Sequence, residues 1–194
     1  MKEKLRENLF PLYNSLLKKN ISEKDIYTFC MQWGNQFPQE EKSGILFVGK
    51  ATNGWITNSK NSELLFGETE KRVFARGDQM KWIGKLENNV KGYNTRKSAF
   101  WRIIKKVAEH KNGKNEWFNK IAWSNLYKIA PFNGGNPSDG MIKEQLGSCQ
   151  LILQKEIEQL KPKCVVMFTS GMEKDFLKFL NGNKEPNSTE TITW

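Results

Sequence analysis

Two polar stretches in this chain carry side chains that could do chemistry. The first is "GILFVGKATNGW", residues 44 to 55, in which an apolar run ends in Gly49, Lys50, Ala51, Thr52, Asn53, Gly54 and Trp55. The run reads as a buried strand and the rest as a loop at its carboxyl end, the place where α/β proteins hold ligands. Gly44 with Gly49-Lys50 nearly spells a phosphate-binding loop, which needs a Ser or Thr after the lysine to hold magnesium. Position 51 is Ala, and Ile45, Leu46, Phe47 and Val48 are too apolar to cradle an anion, so nucleoside triphosphate chemistry is set aside. A hydrolase triad is excluded in the same way. The sole histidine, His110, sits beside Lys111 and Asn112 late in an amphipathic pattern and reads as a surface residue, and there is no G-x-S-x-G elbow. Cys30, Cys149 and Cys164 are widely spaced and form no C-x-x-C pair, which argues against a disulfide framework or a zinc site. Cys149 and Cys164 lie in apolar patterns and read as small packed hydrophobes.

The second stretch is "IAWSNLYKIAPFNGGNPSDGMIKEQLGSCQLILQKEIEQLKPKCVVMFTSG". An apolar run ends in Asn125, with Lys128 and Pro131 three and six residues on, then an Asn-Pro loop, a long helical pattern, Leu-Lys-Pro and a Val-rich run. This order resembles the uracil-DNA glycosylase superfamily, whose members pair a loop after strand one with an Asn-x-x-Lys-x-x-Pro strand end. "SAFWRII", residues 98 to 104, is similar to the Phe-Trp helix of the mismatch-specific branch. The resemblance spans roughly residues 44 to 180 and is most specific over 121 to 171.

The resemblance implies a protein that extrudes a base from DNA and reads its Watson–Crick edge in a pocket. Asn125 matches the base-reading Asn, because an amide offers a donor and an acceptor together. The alternative for Asn125 is a cap on the strand end. Lys128 reads as a phosphate or surface contact, and Ser138 and Asp139 as caps of the long helix. In the first loop the family places a residue that activates or positions water. Here Ala51 and Thr52 occupy those places and cannot act as a base, which leaves Asn53 as the candidate to orient water. Gly49, Lys50, Ala51, Thr52 and Trp55 are then expected to line the substrate site with Asn125 and Lys128. Trp55 either stacks on a base or closes the core, and Phe66 or Phe74 is another candidate for stacking. The family's late His-Pro-Ser loop has no counterpart before Trp194. Two readings stay open: a divergent, C-terminally truncated member, or the same scaffold in a different job. Cys149 falls near one ligand position of the iron-cluster branches, but its partners are absent, so no cluster, metal or other cofactor is expected.

These loops need elements to hold them. Leu5, Leu9, Leu12, Leu16 and Leu17 predict an amphipathic helix over residues 2 to 19, with a possible interruption at Pro11. Ser22 reads as the N-cap of a second helix through Ile26, Phe29 and Cys30 towards Gly34. Strands are expected at 45 to 49, 121 to 126 and 164 to 169, with helices around 99 to 107, 142 to 160 and 172 to 180. Residues 56 to 96 read as a long irregular excursion with one or two short helices, and "STETITW" as the start of a fourth strand. The strand–helix alternation predicts an α/β fold: a three-layer α/β/α sandwich with a short parallel central sheet. Residues 1 to 40 form its N-terminal helical segment and 41 to 194 the α/β domain. The three main strands should be adjacent and parallel, with the loops at Gly49 and Asn125 on one edge.

The 194 residues carry 31 Lys and Arg against 21 Asp and Glu, a formal charge of +10. Such a field recruits phosphates, so DNA is the expected partner. Seven Trp and twelve Phe suit base stacking, although most should be core. The charged start "MKEKLRENLF" has no signal-type apolar segment and no run is long enough to span a membrane, which predicts a cytoplasmic protein. The functional expectation is a glycosylase-like DNA-binding protein that, if active, would hydrolyse the N-glycosidic bond of a deaminated base, with weak or absent activity because the first loop lacks a carboxylate. The alternative is a non-enzymatic nucleic-acid- or partner-binding module on the same fold.

Overall fold

The computed structural model describes residues 2–19, 25–38, 44–53, 61–67, 74, 79–83 and 94–181. Helix α1 (Lys2–Lys18) buries Leu5, Leu9, Tyr13, Leu16 and Leu17 along one face. It runs through Pro11 without a break. The exposed position of Pro11 explains why: the missing N–H falls on the solvent side, while five buried side chains hold the helix against the core.

The segment expected as a second helix is extended instead. It forms β1 (Ile26–Thr28) and β2 (Gln32–Trp33), and Ser22 lies outside the described residues. Ile26, Phe29 and Cys30 have helix-like spacing, but they divide between two clusters: Ile26 and Cys30 join one, Phe29 the other. That division suits a strand whose side chains alternate. Backbone partners complete the change, since β1 pairs antiparallel with β5 (Ile129–Pro131) and β2 antiparallel with β4 (Ile121–Asn125).

The larger sheet has the order β2-β4-β3-β6, with β3 (Ile45–Gly49) central and β6 (Cys164–Met167) beside it. β3, β4 and β6 are adjacent and parallel, as the apolar runs predict; β2 adds an antiparallel edge. The fold is therefore mixed α/β. Strand alternation splits the sheet's side chains in two. Leu46, Val48 and Ala122 pack with α1, with α4 (Asp139–Leu160) and with Phe176 of α5 (Lys174–Asn181). Phe47, Ile121 and Trp123 pack with Trp101, Ile104 and Ala108 of α3 (Ala99–Asn112) and with Trp117 of a 3-10 turn (Trp117–Lys120).

Helix α4 starts where its caps predict: Ser138 accepts the Met141 N–H at 3.3 Å, and Asp139 lies in the first turn. It ends at Leu160, with Lys161 left-handed before Pro162. Within the excursion, α2 (Ser62–Phe66) packs against α1. Gln79 ties the excursion to the sheet edge, its Oε1 accepting the Trp33 N–H at 3.3 Å and its Nε2 donating to the Phe74 carbonyl at 3.0 Å. Phe66 and Phe74 are both 1% exposed and pack on each other, with Tyr13 against Phe66. They are core residues, so neither is the stacking residue that the sequence reading allowed. "STETITW" and the fourth strand expected there lie outside the described residues.

Candidate functional site

The parallel register sets Gly49 opposite Asn125, so the loops after β3 and β4 open on the same edge of the sheet. Two backbone bonds carry the pairing into the loops: Leu126 N–H to the Gly49 carbonyl at 2.8 Å, and Tyr127 N–H to the Lys50 carbonyl at 2.9 Å. The Asn125 amide lies against the glycine. A Cβ at Gly49 would stand 2.6 Å from Asn125 Oδ1 and 3.3 Å from the Phe100 ring, so any side chain here would displace the Asn125 amide. Asn125 is 2% exposed, and its Nδ2 is buried with no hydrogen-bond partner. An orphaned buried donor costs roughly 1–3 kcal/mol, a condition the amide shares with other buried polar atoms such as Trp117 Nε1 and Asn119 Oδ1; what sets Asn125 apart is its place at the strand end beside Gly49.

The corner has aromatic walls. Phe100, on the first turn of α3, meets Phe168 edge-on, with centroids 5.9 Å apart and planes at 87°. Phe168 follows β6 and stacks on Phe47 at 6.2 Å. Trp123, two residues before Asn125, lies 6.2 Å from Phe100. The arrangement packs one amide donor beside three aromatic rings at the strand ends.

The first loop is placed differently from expectation. Asn53 is exposed, and its Oδ1 accepts the Gly135 N–H at 3.3 Å, which ties this loop to the "NGG" turn after β5. Gly134 turns through φ +87°, a conformation that strains any residue with a side chain, and a Cβ there would also push on Asn53 Oδ1 at 2.9 Å. The oxygen that was expected to orient water is thus engaged in a tether. Ala51 leans on the α1–α4 cluster, Thr52 is 3% exposed, and Lys50 is half-buried. Gly54 and Trp55 lie outside the described residues.

Lys128 overturns its expected role as a phosphate or surface contact. It is fully buried. Its Nζ donates to Ser124 Oγ at 2.6 Å, the Asn125 carbonyl at 2.7 Å and Glu156 Oε2 at 2.8 Å. Ser124 Oγ also donates to Glu156 Oε2 at 2.6 Å. A charged lysine desolvated this completely needs a countercharge, and Glu156 on α4 supplies one. Next to the pair, Cys149 Sγ accepts the Lys128 N–H at 3.4 Å. Burial pushes the Cys149 thiol up to about 12, against the opposing pull of that N–H and of the Lys128 charge. Burial first, then Glu156, also raises the Tyr13 phenol.

Ser124, Glu156 and Phe168 escaped the sequence reading, whereas Phe100 was noted there only as part of the Phe-Trp helix. A signal for Glu156 was present: it falls on the buried stripe of α4 between Leu153 and Leu160. No family model, curated protein or solved structure matches the chain.

The remaining loop at this edge follows β6. Ser170 and Gly171 turn through positive φ, 52° and 88°. Thr169 Oγ1 hydrogen-bonds Glu173, which holds that carboxyl below its ordinary range. His110 is exposed, as expected. The described residues contain no group of three or more His, Cys, Asp or Glu placed to hold a metal ion. No helix among them is long and apolar enough to cross a membrane.

Proposed function

We propose that this chain is a uracil-DNA-glycosylase-like protein that binds DNA and reads a deaminated base at Asn125. The observation that carries the reading is the unpartnered Asn125 Nδ2 in an aromatic corner. A buried donor without an acceptor favours a ligand that presents a carbonyl. Deamination replaces an amino group of a base by a carbonyl, so at that one edge position the product presents an acceptor to this amide where the parent base presents a second donor. A flipped base would part the Phe100–Phe168 pair and stack against these rings while its edge meets Asn125. The division of the sheet's side chains between two clusters supports the three-layer α/β/α arrangement as part of the same proposal.

A basic face adjoins the corner. On α3, just beyond Phe100, Arg102, Lys106 and His110 are exposed at four-residue spacing, and Ile103 and Val107 are exposed beside them. This face suits phosphates and sugars, in line with the formal charge of +10. Excision should be weak. Hydrolysis of the N-glycosidic bond develops positive charge on the sugar and needs an activated water, and the first loop supplies no carboxylate. Asn53 remains the residue to test there, but the Gly135 tether favours the second reading, a nucleic-acid- or partner-binding module without catalysis. A cytoplasmic setting belongs to this proposal and suits its three free cysteines.

The test compares binding and excision on oligonucleotides containing uracil or hypoxanthine with their undeaminated counterparts, single and double stranded. Tighter binding to the deaminated forms, lost in Asn125→Ala while affinity for undamaged DNA persists, is the expected result. Equal binding of all oligonucleotides by the parent protein would overturn the base-reading assignment.

A further inference from the structure

The buried cluster behind Asn125 is expensive for a part that only fills space. Lys128 and Glu156 are each 0% exposed, and a buried ion pair of this kind is often no more stabilising than two apolar residues of the same volume. Glu156 Oε1 is buried with no hydrogen-bond partner, so the pair is not arranged for maximal stability either. What apolar residues could not supply is a donor for the Asn125 backbone carbonyl.

All three N–H groups of the ammonium have acceptors: Ser124 Oγ, Glu156 Oε2 and the carbonyl of Asn125. Two of these acceptors belong to the cluster itself. The third is the peptide oxygen of the residue whose side chain lies against Gly49. Strand alternation keeps the two functions on opposite faces of β4. Ser124 points to Lys128 and Glu156, while Asn125 shares the face of Trp123 and Ile121. Holding a peptide plane from behind sets the direction of the side chain in front without touching what that side chain reads.

We infer that Lys128 is a positioning residue for Asn125, with Glu156 and Ser124 holding its ammonium, and that it makes no contact with nucleic acid. The inference rests on the base-reading proposal above. The Asn125 carbonyl is anchored to α4 through Nζ and Glu156, so the amide direction is set by that helix and not by the loop. Preorganisation of this kind matters where a donor must meet a ligand acceptor without rearranging.

The test uses the double variant Lys128→Met/Glu156→Leu, which removes both charges together and leaves no lone buried ion. Two quantities are read. The first is the Asn125 side-chain amide resonance in the free protein. The second is the ratio of affinities for uracil-containing and undamaged oligonucleotides, with the salt dependence of each. The expected result is a shifted or broadened Asn125 amide and a preference reduced about tenfold, equivalent to one lost oriented hydrogen bond. Affinity for undamaged DNA and its salt slope should stay unchanged. An unmoved Asn125 amide in the folded variant would overturn the positioning role whatever the DNA results. A fall in affinity for both oligonucleotides with a shallower salt slope would overturn it too, by making Lys128 a phosphate contact. A parent protein without preference would sink the base-reading proposal instead, and the amide resonance would still decide the role of Lys128. Should the double variant fail to fold, Ser124→Ala keeps the ion pair, removes one of the three acceptors and is read by the same two measurements, with a smaller shift expected.

Discussion

Gly49 is the residue with the least freedom in this corner. Even a methyl group there meets Asn125 Oδ1 at 2.6 Å, with the Phe100 ring 3.3 Å away, so the Asn125 amide would have to shift. Gly49→Ala should therefore destabilise the protein by about 1–3 kcal/mol, the usual range for overpacking, as read from the denaturant midpoint. Asn53→Ala tests the loop tether: losing the bond to Gly135 should cost about 0.5–1.5 kcal/mol and leave any excision rate unchanged. A large loss of excision at unchanged stability would return Asn53 to a catalytic role. The thiols differ sharply in environment. Cys164 is exposed while Cys30 and Cys149 are buried, so a thiol reagent should label one cysteine in the native protein and three after denaturation. Cys149 also gives a pH signature. Its thiol rises from an ordinary 9.0 to about 12, so the folded state binds the proton more tightly. Its contribution to stability is complete below pH 9 and is lost progressively as pH rises towards 12. Denaturant titrations across that range should show the decline, and Cys149→Ala should make it shallower.

At the scale of elements, α4 is the part on which the others converge. Its buried stripe holds Gln145, Ser148 and Glu156 among Met141, Cys149, Ile152, Leu153 and Leu160. Gln145 exchanges two bonds with the Ile129 backbone, 3.0 Å to the N–H and 2.9 Å to the carbonyl, and so fastens the helix to β5. Glu156 fastens it to the end of β4 through Lys128. This makes the energetics of the pair strongly non-additive. Lys128→Met alone leaves Glu156 as an uncompensated buried charge and should cost about 3–5 kcal/mol. Adding Glu156→Leu should recover most of that loss, and a double-mutant cycle on unfolding free energies measures the coupling. Additive losses would mean that the two charges do not depend on each other.

For the whole molecule, the excess of ten positive charges acts at longer range than any single contact. Binding to an oligonucleotide should weaken steeply as salt rises, because each phosphate that the protein neutralises releases counterions. Arg102→Ala/Lys106→Ala on the exposed face of α3 should make that salt slope shallower by about two. The preference for a deaminated base should not change, because these side chains would meet phosphates and not base edges. No detectable binding at low salt would leave the charge as a solubility feature.

How much of this was legible in the sequence follows from the range of the forces involved. The apolar runs at 45 to 49, 121 to 126 and 164 to 169 announced β3, β4 and β6, and the Ser138 cap and Lys161-Pro162 set the ends of α4. Those signals are local, since burial period and capping chemistry act within one element. The strand ends then brought Gly49 and Asn125 together, because parallel strands deliver their loops to one edge. Tertiary structure decided the rest. Residues 26 to 33 have a spacing that a helix could use, and they became strands because β4 and β5, roughly a hundred residues away, offered backbone partners. Lys128 read as a surface cation because its countercharge is invisible locally; Glu156, 28 residues on, turns it inward. Asn53 read as the candidate to orient water, and only the fold shows that its Oδ1 accepts the Gly135 N–H. Burial of a charge or an amide depends on the partner that meets it in three dimensions, whereas an apolar stripe depends only on its own period.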